Sequence, residues 1–184
     1  MKFSLLQRIF FFTISCCLLF VLVLSTVIWS SQEIELAFSR DNYARELTNK
    51  THVLKQLVAN DNIYDNNYSI NNWQALEVKL TNLLKSSPAL TAQQETIQLS
   101  IQNQNKSVKK LFNLINKNKL KNASGAIKKH LKSRLIMQLE AIRSDSMQLS
   151  AMAQKDIYDT IKSQALFITL VSAASIIALL FGAM

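Results

Sequence analysis

The 184-residue sequence predicts an all-α protein: a membrane-anchored antiparallel four-helix bundle flanked by two transmembrane helices. Three observations lead there. Glycine occurs only at 125 and 182 and proline only at 88, too few turn residues for a β domain. Two uncharged apolar blocks stand towards the two ends of the chain. Between them, apolar residues recur at spacings of three, four and seven, the signature of a helix with one buried face.

The elements follow in order. Residues 1–8 carry Lys2 and Arg8 and form a short basic N-terminus. Residues 9–29 (IFFFTISCCLLFVLVLSTVIW) hold no charge, no proline and no glycine. As a helix they would measure about 32 Å, close to the ~30 Å hydrocarbon core of a bilayer. A cleaved signal peptide is the competing reading, but its apolar region would be only about 7–15 residues long. The block ends in Val27-Ile28-Trp29 and not in a small-x-small cleavage site, and Trp29 suits an interfacial anchor. Cys16 and Cys17 lie mid-span and read as packing residues.

With Lys2 and Arg8 before the span and Glu33 and Glu35 after it, the N-terminus is expected in the cytoplasm and residues 30–164 outside. The first bundle helix spans about residues 31–60, with Leu36, Tyr43, Leu47, Leu54, Leu57 and Val58 as its stripe. The stretch DNIYDNNYSINN (Asp61–Asn72) should break it, because Asn and Asp favour turns and caps. A second helix, 71–86, would be capped by Asn71 with Gln74 and striped by Trp73, Leu76, Leu80, Leu83 and Leu84, ending at SSPAL. Thr91 with Gln94 forms a capping box for a third, 91–117, carrying Ile97, Ile101, Val108, Leu111, Phe112 and Ile115. After KNKLKNASG, a fourth helix over 124–164 is striped by Ile127, Leu131, Leu135, Leu139, Ile142, Leu149, Ala153 and Ile157. Met137, Met147 and Met152 are expected in the core. Residues 165–184 (ALFITLVSAASIIALLFGAM) form the second span. The basic flank expected beyond a returning span is missing, so a longer protein with a cytoplasmic part after Met184 is expected.

This layout resembles the sensory half of a bacterial transmembrane receptor, most like a sensor histidine kinase, with chemoreceptors and membrane diguanylate cyclases sharing the plan. The helix RLIMQLEAIRSDSMQLSAMAQKDI is similar to the membrane-proximal helix of such sensors. The resemblance implies an inner-membrane, two-pass location, a periplasmic sensor domain and a homodimer. It also implies a HAMP-type linker followed by an output module. Ligand or partner binding would then shift the first and last helices by about 1–2 Å. The alternative is a complete two-span structural or docking subunit of a bacterial envelope or secretion assembly.

Candidate binding residues follow from charge and position. Arg40 falls on the first stripe at the 36-40-43-47 spacing, where a charge is costly unless paired or used. It would bind a carboxylate ligand or pair with Asp156 or Asp159. Arg45 and Arg143 are weaker candidates of the same kind. Tyr64, Tyr68 and Trp73 would make a polar-aromatic contact surface. Between Glu95 and Glu140 there is no acid, whereas Lys106, Lys109, Lys110, Lys117, Lys119, Lys121, Lys128, Lys129, Lys132 and Arg134 all occur. This basic patch is either an anion site, meeting acidic lipid or polysaccharide, or a solvated end of the bundle. Expected partners are therefore the bilayer, a second copy and a periplasmic ligand or protein, with an anionic ligand one option. Nucleic acid is not expected outside a membrane. His52 and His130 are isolated, so neither a metal nor another cofactor is expected, and no constellation of reactive residues points to catalysis.

Overall fold

The structure is a computed structural model that describes residues 5–60, 67–116 and 124–182. Among the described residues there are four helices and no strand: α1 (Leu5–Asn60), α2 (Asn67–Lys85), α3 (Ala92–Asn116) and α4 (Gly125–Gly182). The chain divides into two compact units, Phe38–Gln154 and the pair of segments Met1–Ala37 and Lys155–Met184.

In the unit Phe38–Gln154 all four helices feed one hydrophobic core. It joins Tyr43, Leu47, Leu54 and Val58 of α1 with Trp73, Leu80 and Leu84 of α2. From α3 come Ile101, Val108, Leu111, Phe112 and Ile115, and from α4 Leu135, Leu139, Ile142 and Leu149. The expected stripes supply nearly all of it. Ile127, placed on the α4 stripe by its spacing, is instead exposed at the helix start.

Helix ends follow local chemistry. The Thr91–Gln94 capping box is present: the Thr91 N–H donates to Gln94 Oε1 at 3.1 Å and the Gln94 N–H to Thr91 Oγ1 at 3.4 Å. α2 stops at Lys85, where the Ser86 N–H still reaches the carbonyls of Asn82 at 3.1 Å and Leu83 at 3.2 Å. Pro88 has no N–H with which to continue. The start of α2 differs from expectation. It begins at Asn67, so Asn71 and Gln74 lie inside the helix and do not cap it. Two residues of the expected break explain this: Ser69 is buried and Ile70 packs against the core, and their burial outweighs the turn preference of the surrounding asparagines. The rest of that break, 61–66, and the connection 117–123 lie outside the described residues.

Two further expectations are corrected. Met137 and Met147 are 66% and 53% exposed. The buried face of α4 runs through 135, 139, 142, 146, 149 and 153. At about 100° per residue, positions 137 and 147 fall off that face.

The other unit holds the N-terminal part of α1 and the C-terminal part of α4. One helix among the described residues, α1, is long and apolar enough to cross a membrane by length and composition, in the stretch Cys16–Ala59. Phe10, Leu18, Phe20, Leu22, Ile28 and Trp29 are exposed there, as are Leu166, Leu170 and Ile176 on α4. Ser25, Thr26, Thr169 and Ser175 each donate a hydroxyl proton, at 2.8 Å, to a carbonyl of their own helix four residues back. Buried Ser30 instead donates across to Gln164 Oε1 at 3.1 Å.

Candidate functional site

The buried face of α1 within Phe38–Gln154 runs 41-44-47-51-54-58, a repeat of threes and fours. Five of its positions hold Ala44, Leu47, Thr51, Leu54 and Val58, and the Thr51 hydroxyl returns to the Leu47 carbonyl at 2.7 Å. The exception is Asp41, a carboxylate only 6% exposed. Charge in such a place is costly unless several donors answer it. Three do. Arg45 Nε donates to Oδ2 at 2.8 Å from one turn along α1. From α4, Ser150 Oγ donates to Oδ1, and Gln154 Nε2 donates to the same oxygen at 3.3 Å. Burial alone would raise the Asp41 pKa, but hydrogen bonds from Ser150, Arg45 and Gln154, with the Arg45 charge, outweigh it. The carboxyl is held below the usual aspartate value and stays ionised at neutral pH.

Further along the same two helices Lys55 Nζ meets Glu140 Oε2 at 2.6 Å, and Glu140 Oε1 also accepts from Arg143 at 3.1 Å. The Lys55 hydrogen bond is the main cause that lowers the Glu140 pKa below its usual value; partial burial opposes it. Lys132 Nζ donates to the Ala59 carbonyl at 3.0 Å. The α1 partners rise in number, 41, 55, 59, as their α4 partners fall, 150, 140, 132.

α2 and α3 are tied in the same manner. Glu77 accepts from Lys109 at 2.9 Å and from Thr81 at 2.7 Å, and Asn105 donates to the Thr81 hydroxyl at 3.2 Å. Asp145 of α4 accepts hydrogen bonds from Ser100 and Gln104 of α3, both at 2.9 Å. Here too the numbers run in opposite senses, since Trp73 stacks on Phe112 while Gln98 reaches the Leu84 carbonyl.

The residues singled out by sequence are dispersed. Arg40 Nε donates to the Ala89 carbonyl at 2.7 Å, tying α1 to the α2–α3 connection. Arg45 serves Asp41, and Arg143 pairs along its own helix. Trp73, expected on a contact surface, is 1% exposed and lies in the core, its ring 4.4 Å from that of Phe112. One ring stacks on the other at 15°, and a side chain so deeply buried offers no exposed surface for a ligand. Tyr64 lies outside the described residues, as does the side chain of Tyr68. In the basic stretch Lys109 is paired with Glu77 and Lys132 with a backbone carbonyl. Lys106, Lys110, Lys129 and Arg134 are exposed, Lys128 is half-buried and engaged, and Lys117, Lys119 and Lys121 lie outside the described residues. Among the described residues no group of three or more His, Cys, Asp or Glu is placed to hold a metal ion.

Asp41 was missed because an Asp next to an Arg on a helix reads as surface. Its signal was positional: with Ala44, Leu47, Thr51, Leu54 and Val58 it completes a repeat of threes and fours. Counting only large apolar residues hides that repeat.

The chain matches no known family, no curated protein and no solved structure.

Proposed function

We propose that the chain is the extracytoplasmic sensing and transmembrane signalling module of a bacterial inner-membrane receptor of the sensor histidine kinase type. It is a two-pass protein with its N-terminus in the cytoplasm. Residues 30–164 form an antiparallel, periplasmic four-helix bundle that works as a homodimer. In this reading a ligand or partner shifts α1 against α4, and the shift reaches a cytoplasmic output module after the second span, 165–184. The chain itself does no chemistry.

One observation carries the reading: α1 and α4, of 56 and 58 residues, are each a single unbroken helix with core residues in one part and an uncharged apolar run in another. A helix transmits a displacement along its length because, away from its ends, each backbone N–H is bonded to the carbonyl four residues back. The opposed numbering of the polar pairs supports the antiparallel arrangement. The buried Asp41 pairings supply a contact between the two helices with discrete made and unmade states, which switching needs.

The test is a chimera in which residues 1–184 are joined to a histidine kinase core through linkers lengthened stepwise by one to four residues. Autophosphorylation is measured in membrane vesicles. Asp41→Asn is expected to change kinase activity several-fold in at least one linker phase. Glu46→Gln, whose partner Lys50 lies on the same helix, should leave it unchanged. Equal activity of wild type and Asp41→Asn in every phase would overturn the reading.

A further inference from the structure

The ties between helices that hold the unit Phe38–Gln154 also sort its charge. Lys132 meets the Ala59 carbonyl, Lys109 meets Glu77, and Trp73 stacks on Phe112. Ser100 and Gln104, earlier on α3, meet Asp145, later on α4. One half of the unit is therefore built from 51–59 of α1, 69–80 of α2, 105–115 of α3 and 125–139 of α4. The described residues of this half hold nine Lys and Arg and one acid, Glu77. The other half, 38–50 with 81–104 and 140–154, holds five of each sign. The net positive charge of the unit thus lies wholly in one half.

Four cations of that half, Lys106, Lys110, Lys129 and Arg134, are exposed. Its one acid does not answer them, because Glu77 accepts from Lys109 and from Thr81. Polar neutral residues interleave with them. Ser107 and Asn113 are exposed beside Lys106 and Lys110 at helical spacings of three and four, and Ser133 is exposed beside Arg134.

Three arguments select the occupant. A single contact to an exposed cation is screened and weak, so a small anion gains little here. A molecule with many anionic groups sums such contacts and releases counterions as it binds. A flat bilayer does not meet all four cations. Lys129 and Arg134 are five residues apart, about 140° around the α4 axis, and Lys106 stands about 15 Å along α3 from its end at Asn116. A flexible chain can follow all of them. Stacking of nucleobases needs exposed aromatic rings, and Trp73 and Phe112 of this half are buried.

We propose that this half of the bundle is a docking surface for an acidic polysaccharide. Its anionic groups meet Lys106, Lys110, Lys129 and Arg134, and its hydroxyls meet Ser107, Asn113 and Ser133. The surface does not rest on the sensor reading.

The experiment is a binding titration of the full chain, in nanodiscs of neutral lipid, against fluorescein-labelled alginate with EDTA present. Neutral dextran, polyphosphate and phosphatidylglycerol vesicles, the last two at equal anionic charge, are the comparators. Alginate is expected to bind, dextran is not, and the alginate Kd should rise steeply with salt. Changing Lys106, Lys110, Lys129 and Arg134 together to glutamine should raise that Kd at least about tenfold. Changing Lys50, Lys85, Lys155 and Lys162 to glutamine removes the same charge elsewhere and should raise it less than about threefold. Equal losses in the two variants would mean that net charge alone attracts the polymer, and would overturn the surface. So would absent or salt-insensitive binding, or tighter binding of the vesicles or of polyphosphate. None of these outcomes bears on the kinase chimera, where an effect of Asp41→Asn would leave the sensor reading standing without this partner.

Discussion

Protonating Asp41 removes the charge that Arg45 answers and weakens the acceptor that Ser150 and Gln154 share. Because its folded pKa lies below the ordinary aspartate value, the unfolded chain takes up this proton first as pH falls. The stabilisation is therefore complete above the ordinary carboxylate range and is lost as pH drops through the folded value. Asp41→Asn is expected to cost about 1–3 kcal/mol at pH 7 and to flatten the acid side of the stability profile. Urea unfolding in mild detergent, followed by tryptophan fluorescence, measures both. Tyr43 has the reverse sign. Its buried hydroxyl has no partner, and burial raises its pKa to about 12. The unfolded tyrosine ionises first, so stability falls as pH rises from about 10 towards 12. Tyr43→Phe should stabilise the chain by about 1 kcal/mol and reduce that alkaline loss, by the same assay. Neither effect was legible from sequence, since a tyrosine on an apolar stripe does not reveal whether its hydroxyl finds a donor or an acceptor. Arg40 was legible as an oddity, but its backbone partner lies 49 positions away.

At the scale of the element, periodicity did most of the work. Leu139 and Met137 are two residues apart on α4, one fully buried and the other exposed. Leu139→Ala is expected to cost about 2–5 kcal/mol and Met137→Ala less than about 0.5 kcal/mol, read as shifts in the urea midpoint. Comparable losses at the two positions would contradict the assigned face. The expectation of a core Met137 came from weighing side-chain type above phase, and phase was the better guide. α3 teaches a related lesson. Its buried face includes Gln94, Gln98 and Asn105 as well as Ile101 and Val108, and amides at core positions are invisible to a search for apolar stripes. The Thr91–Gln94 capping box was legible because its geometry is local, and Thr91→Ala should cost about 1 kcal/mol. The start of α2 was not, because burial of Ser69 and Ile70 depends on what the rest of the chain brings to them.

For the whole molecule, the sequence foretold helices and one shared core, because scarce glycine and proline leave few alternatives. Which helices touch through which residues could not be foretold, since spacing within a helix carries no information about its neighbour. The opposed numbering of α1 and α4 is open to a direct check. In a background with Cys16 and Cys17 changed to serine, cysteines at 55 and 140 should cross-link efficiently under mild oxidation. Cysteines at 55 and 150 should not, being separated by about 15 Å of helix rise. Electrophoresis of the unreduced chain reads the result.

The serine and threonine hydroxyls of the apolar runs have a mechanical consequence. Ser25, Thr26, Thr169 and Ser175 donate hydrogen bonds to carbonyls one turn back on their own helices. A hydroxyl that donates within its own helix donates nothing to a facing one, so these four groups add no such tie between helices. The bond from Ser30 to Gln164 does join the two helices, and losing it would cost about 1 kcal/mol.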